Sequence, residues 1–127
     1  MLLKKIIVAD DSAAARFMIR RIIEESGTGF SVEEARDGLE AYTAIRKEKD
    51  LPSAVIISLN LRKMSGITLL KKLRKNTSFD SVRLVIISES GHEKIRKLLE
   101  GCFIAGIIKK PVNAEELAEI LQNGGVR

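Results

Sequence analysis

The sequence contains one cysteine, one histidine, two prolines and no tryptophan. The lone Cys102 excludes an internal disulfide and a cysteine-rich metal centre, and the lone His92 excludes a multi-histidine one. Such cysteine usage suits a reducing compartment, so a cytoplasmic protein is expected. Aromatic residues make up 4% of the chain (Phe17, Phe30, Tyr42, Phe79 and Phe103), few for stacking on nucleic-acid bases. No apolar run approaches a membrane span; stretches such as Ala54-Val55-Ile56-Ile57 are strand-sized. The opening residues lack the long apolar core and small-residue cleavage site of a secretory signal. They run instead into Asp10-Asp11, and a first strand is expected there.

What is present fits a single folded unit. The 127 residues suffice for one hydrophobic core and are short for two, and 45% hydrophobic with 31% charged residues is a globular balance. The net charge is +5. Its cations are spread over several segments (Arg16, Arg20 and Arg21; Arg46, Lys47 and Lys49; Lys71, Lys72, Arg74 and Lys75; Lys94, Arg96 and Lys97), each on the polar side of an amphipathic pattern. A solvated surface is expected, and nucleic acid is not the expected partner.

Strand-like and helix-like segments alternate throughout. Strands are expected at Lys4–Ala9, Ser31–Arg36, Ala54–Leu59, Arg83–Ser88 and Gly106–Lys109. Ile6-Ile7-Val8, Val55-Ile56-Ile57 and Leu84-Val85-Ile86-Ile87 are continuous β-branched or aliphatic runs, as central parallel strands covered on both faces require. Ser31–Arg36 is more polar and reads as an edge.

The first helix carries Ala15, Met18, Ile19, Ile22 and Ile23 at helical spacing and stops near Ser26-Gly27. The second opens at Asp37 with Glu40 in capping-box spacing and buries Tyr42 and Ile45. The third follows Ser65-Gly66 with Ile67, Leu70 and Leu73, and the fourth presents Ile95, Leu98, Leu99 and Cys102. The fifth starts at Asn113 and buries Ala114, Leu117, Ala118 and Leu121. Five β/α units imply an α/β, doubly wound parallel sheet, with one domain over residues 1–122 and a tail or linker start at 123–127. In such sheets functional residues gather beyond the carboxyl ends of the strands.

Asp10-Asp11-Ser12 follows the first strand, Ser58-Leu59-Asn60 the third, Ser88-Glu89-Ser90 the fourth and Lys109-Lys110-Pro111 the fifth. Adjacent carboxylates repel one another, and a divalent cation relieves that; magnesium takes one or two carboxylates and keeps several waters. The competing reading has one acid capping the first helix and the other solvated. Carboxylates with magnesium, a hydroxyl and an ammonium are what a phosphoryl group needs to have its charge neutralised.

Asp10-Asp11-Ser12, Ile57-Ser58-Leu59-Asn60-Leu61 leading to Met64-Ser65-Gly66, Ser88 after an apolar strand, and Lys110-Pro111 together resemble the response-regulator receiver family, in register over residues 4–122. The resemblance implies a flavodoxin-like sheet of order 2-1-3-4-5 with five flanking helices. It implies that Asp11 holds magnesium directly, Asp10 holds it through water, and the backbone carbonyl of Asn60 is a further ligand. Ser88 would sense the phosphoryl group and Lys110 would pair with its charge.

The family's phosphoryl acceptor is an aspartate, and Ser58 stands at that position. A hydroxyl is a weak nucleophile without a neighbouring base and would form a stable ester rather than a labile acyl phosphate. Losing a carboxylate also leads to an expectation of weak magnesium binding. Arg62 replaces the usual proline, Glu89 the usual small residue after the switch hydroxyl, and Ile107 the usual aromatic three residues before the lysine. Without the acceptor, Lys110 needs another partner, for which Asp11 or Glu89 is expected; the competing reading leaves Glu89 solvated.

A degenerate receiver in phosphorelay signalling, not an enzyme, is the expected function, working by protein–protein contact through roughly Gly91–Gln122. A histidine kinase, an output domain, another signalling protein or a second copy are the expected partners, and no membrane. The alternatives are a switch phosphorylated on Ser58, Asp10 or Asp11, a normal receiver silenced at its acceptor, and an enzyme or flavin-binding relative of the same architecture. His92 is expected to be exposed without a chemical role, and Cys102 to complete the fourth helix's apolar stripe.

Overall fold

In the computed structural model, which describes residues 4–47, 49–90 and 92–123, strands and helices alternate as the sequence periodicity requires. The strands are β1 (Lys5–Ala9), β2 (Ser31–Ala35), β3 (Ala54–Ser58), β4 (Arg83–Ser88) and β5 (Gly106–Lys109). The helices are α1 (Ala13–Glu25), α2 (Gly38–Lys47), α3 (Gly66–Lys75), α4 (His92–Leu98) and α5 (Ala114–Asn123). All pairings are parallel, in the order β2-β1-β3-β4-β5. Helix α5 thus includes Asn123, the first residue of the expected tail, and residues 124–127 lie outside the described residues.

Side chains alternate across the sheet and build two cores. On one face Ile7, Val55, Ile57, Leu84, Ile86 and Ile107 pack with Ala41 and Ile45 of α2, Leu69, Leu70 and Leu73 of α3, and Ile95 of α4. On the other, Ile6, Val8, Ile56, Val85, Ile87 and Ile108 pack with Ile19 and Ile23 of α1 and Leu117 and Leu121 of α5. Burial on both faces is why the central strands read as unbroken apolar runs. Truncating one such residue to alanine costs about 2–5 kcal/mol.

Local chemistry sets the helix starts. Ser12, Ser65 and Asn113 accept the backbone N–H of Ala15, Thr68 and Glu116 through their side chains. Asp37 accepts from the N–H of Glu40, while Glu40 reaches back to the N–H of Arg36, which holds the Glu40 carboxyl below its usual range.

Four expectations need correction, the first being Ala114, which is exposed at the head of α5 because the buried stripe of that helix runs through Leu117 and Leu121. Met18 is 61% exposed, because the buried stripe of α1 runs through Arg16, Ile19 and Ile23. Leu98 is exposed as the last residue of α4. Cys102 lies beyond that helix, half-buried against the core and not on the helical stripe. His92 heads α4, and its side chain lies outside what is described.

Candidate functional site: a carboxylate corner closed by a serine and a lysine

The rim at the carboxyl ends of β1, β3, β4 and β5 forms a cleft of about 360 Å³ lined by Asp10, Asp11, Ser58, Asn60, Ser88 and Lys110, among others. Strand register brings these residues together. Ser58 faces Ile87 of β4, Ser88 faces Lys109 of β5, and the N–H of Lys110 donates to the carbonyl of Ser88.

Asp10 is the centre of the cleft, with 1% of its surface exposed. Its Oδ1 accepts the backbone N–H of Ser12 at 2.9 Å. Its Oδ2 accepts a short hydrogen bond from the Ser58 hydroxyl and lies 3.4 Å from Lys110 Nζ. A buried carboxylate is costly without such partners, and here both oxygens have them. The expectation that Asp11 or Glu89 pairs with Lys110 is therefore corrected. Asp10 is the partner, and Glu89 is exposed with no ion pair among the described residues.

Asp11 turns outward. Its carboxylate is 35% exposed and lies 3.7 Å from the Arg62 guanidinium. Asn60 is exposed. Ser88 is buried, and its hydroxyl accepts the N–H of Ser90 at 3.0 Å.

The loop from β3 to α3 closes in against the site. Gly66 donates its N–H to the Leu59 carbonyl, and a Cβ there would stand 2.4 Å from the carbonyl oxygen of Ser58. No other residue permits that approach. Before it, Lys63 takes a positive φ of 65°, and Met64 donates its N–H to the carbonyl of Arg62 across it. The Arg62 carbonyl also accepts the N–H of Gly38, which ties the loop to the start of α2.

Two residues outside the expected set support the corner. Arg16 is buried on α1 and donates to the backbone carbonyl of Asp10 at 2.7 Å and to Glu34 of β2 at 2.8 Å. Glu34 also accepts from Arg20 at 2.9 Å. The hydrogen bond from Arg16, then that from Arg20, holds the Glu34 carboxyl below its usual range. A charged residue on the apolar stripe of α1, three and seven places before Ile19 and Ile23, was the sequence signal for Arg16.

The donor set fits a tightly held divalent ion poorly. Ser58 is a neutral group, Oδ2 of Asp10 is shared between a hydroxyl and an ammonium, and Asp11 is the only other carboxylate lining the cleft apart from Glu89.

Comparison with known proteins places this architecture. The chain matches the response regulator receiver domain family over residues 6–122, and it belongs to that family. It is 30% identical over 120 residues to the chemotaxis protein CheY1 of Helicobacter pylori, covering 93% of this chain and 94% of that protein. It is 29% identical over 121 residues to a chemotaxis protein CheY homolog of Campylobacter jejuni, covering 94% of this chain and 90% of that one. It also matches the sensor histidine kinase CheAY of Helicobacter pylori at 25% identity, spanning 15% of that longer protein. The fold is that of the chemotaxis response regulator CheY4 of Vibrio cholerae, with a TM-score of 0.84 at 24% identity, covering 97% and 99% of the two chains. The protein is thus a receiver domain of two-component signalling, a family of signalling domains that interact with histidine kinases and output or other signalling proteins. Receiver domains typically bind magnesium at an acidic pocket. Among the described residues no helix is long and apolar enough to cross a membrane.

Proposed function

We propose that this receiver, comprising residues 1–122, signals by protein–protein contact in the cytoplasm without aspartyl phosphorylation and without enzymatic activity. The observation that carries the reading is the closed corner. The Ser58 hydroxyl stands at the acceptor position and donates to Asp10, whose charge Lys110 already balances. In the family-derived roles, Ser58 occupies the acceptor place, Ser88 and Lys110 would sense and neutralise a phosphoryl group, and Asp10, Asp11 and the Asn60 carbonyl would hold magnesium. With Lys110 engaged and the acceptor carboxylate missing, magnesium binding is weak and no labile acyl phosphate forms.

The contact surface is residues 91–122. Leu98 and Phe103 support it, being large apolar side chains about half exposed within that segment. A histidine kinase, an output domain or a second copy is the class of partner, and neither a membrane nor nucleic acid meets this surface.

Intact mass after incubation with a small acyl-phosphate donor and magnesium, run beside Ser58→Asp, tests the reading. The native chain is expected to stay unmodified while the aspartate variant gains one phosphoryl group. A native chain that gains the group would overturn it in favour of a second reading, a switch phosphorylated on Ser58, Asp10 or Asp11. One observation favours Ser58 among these: its hydroxyl donates a hydrogen bond to Asp10, which stands where a general base would.

A further inference from the structure

The excess positive charge of this protein is confined to one segment. Residues 51–79 contain six of the 22 cations (Arg62, Lys63, Lys71, Lys72, Arg74 and Lys75) and none of the 17 acids, so the other 98 residues hold 16 cations against 17 acids. On α3, the spacing of Lys71, Lys72 and Lys75 sets all three on the solvent side, opposite buried Leu69, Leu70 and Leu73. Neighbouring α2 adds exposed Arg46 and Lys47. Tyr42 joins the two helices, with the Arg46 guanidinium 5.4 Å and the Lys72 ammonium 5.6 Å from its ring centre.

These cations differ from those elsewhere. On α1, Arg16, Arg20 and Arg21 each pair with a glutamate. Among the described residues, Arg46, Lys47, Lys71, Lys72 and Lys75 pair with no acid. Arg74, the remaining α3 cation, is committed to the fold. It donates to the carbonyls of Phe103, Phe79 and Val82, and burial pulls its pKa down.

We infer that the α2–α3 face, centred on Tyr42, Arg46, Lys71, Lys72 and Lys75, docks an acidic protein surface, separately from the contact surface in residues 91–122. Unopposed cations on one face attract and orient an anionic partner. The residue types select its class. A tyrosine beside an arginine is the composition of a protein-interface anchor, with lysines at the rim supplying steering. Nucleic acid is disfavoured: α3 contributes lysines, which bind as point charges rather than forks, and Tyr42 is flanked by its own cations instead of open to bases. A lipid surface is disfavoured because α3 exposes no large apolar side chain and α2 exposes only Leu39, too little to insert.

The test titrates the full chain against a labelled twenty-residue helical peptide of Glu, Asp and Leu, a twenty-base-pair DNA duplex, and phosphatidylserine vesicles, all in low salt. The peptide is expected to bind most tightly. Lys71→Glu/Lys72→Glu/Lys75→Glu is expected to weaken it by about tenfold or more, three exposed attractions becoming repulsions. Lys94→Glu/Arg96→Glu/Lys97→Glu on α4 changes net charge equally and is expected to leave peptide affinity within about twofold. Glutamine in place of glutamate at 71, 72 and 75 provides a milder variant, with circular dichroism confirming the fold of each. Equal losses from the α3 and α4 variants, no peptide binding, or tighter binding of DNA or vesicles would overturn the inference.

Discussion

The cleft at the sheet edge has two sides that neighbouring residues make unlike. On the inner side Asp10, Ser58 and Lys110 share a buried carboxylate with every oxygen engaged. On the outer side Asp11, Arg62 and Lys63 are joined by long ion pairs, Arg62 to Asp11 at 3.7 Å and Lys63 to Asp37 at 3.8 Å, with both cations mostly exposed. The sequence alternation explains the split. Asp10 continues the row of Ile6 and Val8, Ser58 that of Ala54 and Ile56, and Lys110 that of Ile108, all packed on the α1 and α5 side. Ser88 continues the row of Leu84 and Ile86 on the opposite side, and it takes no part in the Asp10 network. An inner side satisfied from within the chain needs no ion, whereas an outer side held by screened pairs is open to one.

The largest effect expected from breaking this comparison is that of Asp10→Ala. Removing the carboxylate leaves the Ser12 N–H, the Ser58 hydroxyl and the Lys110 ammonium without their acceptor, a loss of about 3 kcal/mol in urea unfolding. Asp11→Ala should stay within about 0.5 kcal/mol, as exposed sites do. Equal losses from the two would mean that the inner and outer sides are not energetically distinct.

Next in size is Ser58→Asp, which sets a second carboxylate against Asp10. In chelator this variant should lose about 2 kcal/mol, because like charges in a buried site cannot both ionise freely. Added magnesium should restore much of that stability, while moving the native chain by less than about 0.5 kcal/mol. A native chain stabilised as strongly by magnesium as the variant would show that Ser58 does not weaken the metal site.

The covered central strands and the edge character of β2 were legible because burial on two faces, and alternation on one, are written in residue type, whereas the strand order came with the family resemblance. The convergence of Ser58 and Lys110 on one rim was legible because both follow strands of a parallel sheet, whose carboxyl ends share one edge. Which of two adjacent acids Lys110 meets was not, since that depends on the direction of side chains just past the end of a strand. The row of Ile6, Val8 and Asp10 would have indicated it. Arg16 was hidden because it was grouped with the surface cations of α1, although it falls on the buried stripe. Met18 and Leu98 were misplaced because each borders an apolar stripe narrower than the run of apolar residues suggested.

Arg16 links the inner side to β2, so Arg16→Met, which keeps the stem and removes the donors, should cost about 1–2 kcal/mol. It should also alter the acid response. Glu34 has its folded pKa held below the unfolded value of about 4.3, so its contribution is full above that pH and is lost as pH falls through the folded value. With Arg16 gone that depression shrinks, and the decline of stability across the acid range should become shallower in thermal unfolding. An unchanged slope would assign the acid dependence to other carboxylates.

The smallest expected effect belongs to Arg62→Ala, and it sharpens the comparison from the outer side. Arg62 is 82% exposed and its one ion pair is long, so the guanidinium holds Asp11 only loosely. What Arg62 gives the fold is its carbonyl, which accepts the N–H of Gly38 and of Met64 and is retained by alanine. The change in unfolding free energy should fall within about 0.5 kcal/mol. The Asp11 carboxylate, freed of its only ion-pair partner among the described residues, should meanwhile become more available to added magnesium, measurable as larger magnesium-induced amide shifts at Asp11 and Asn60 by NMR. Shifts no larger than in the native chain would mean that Arg62 does not screen the outer carboxylate, and that weak metal binding is governed by Ser58 and the inner side alone.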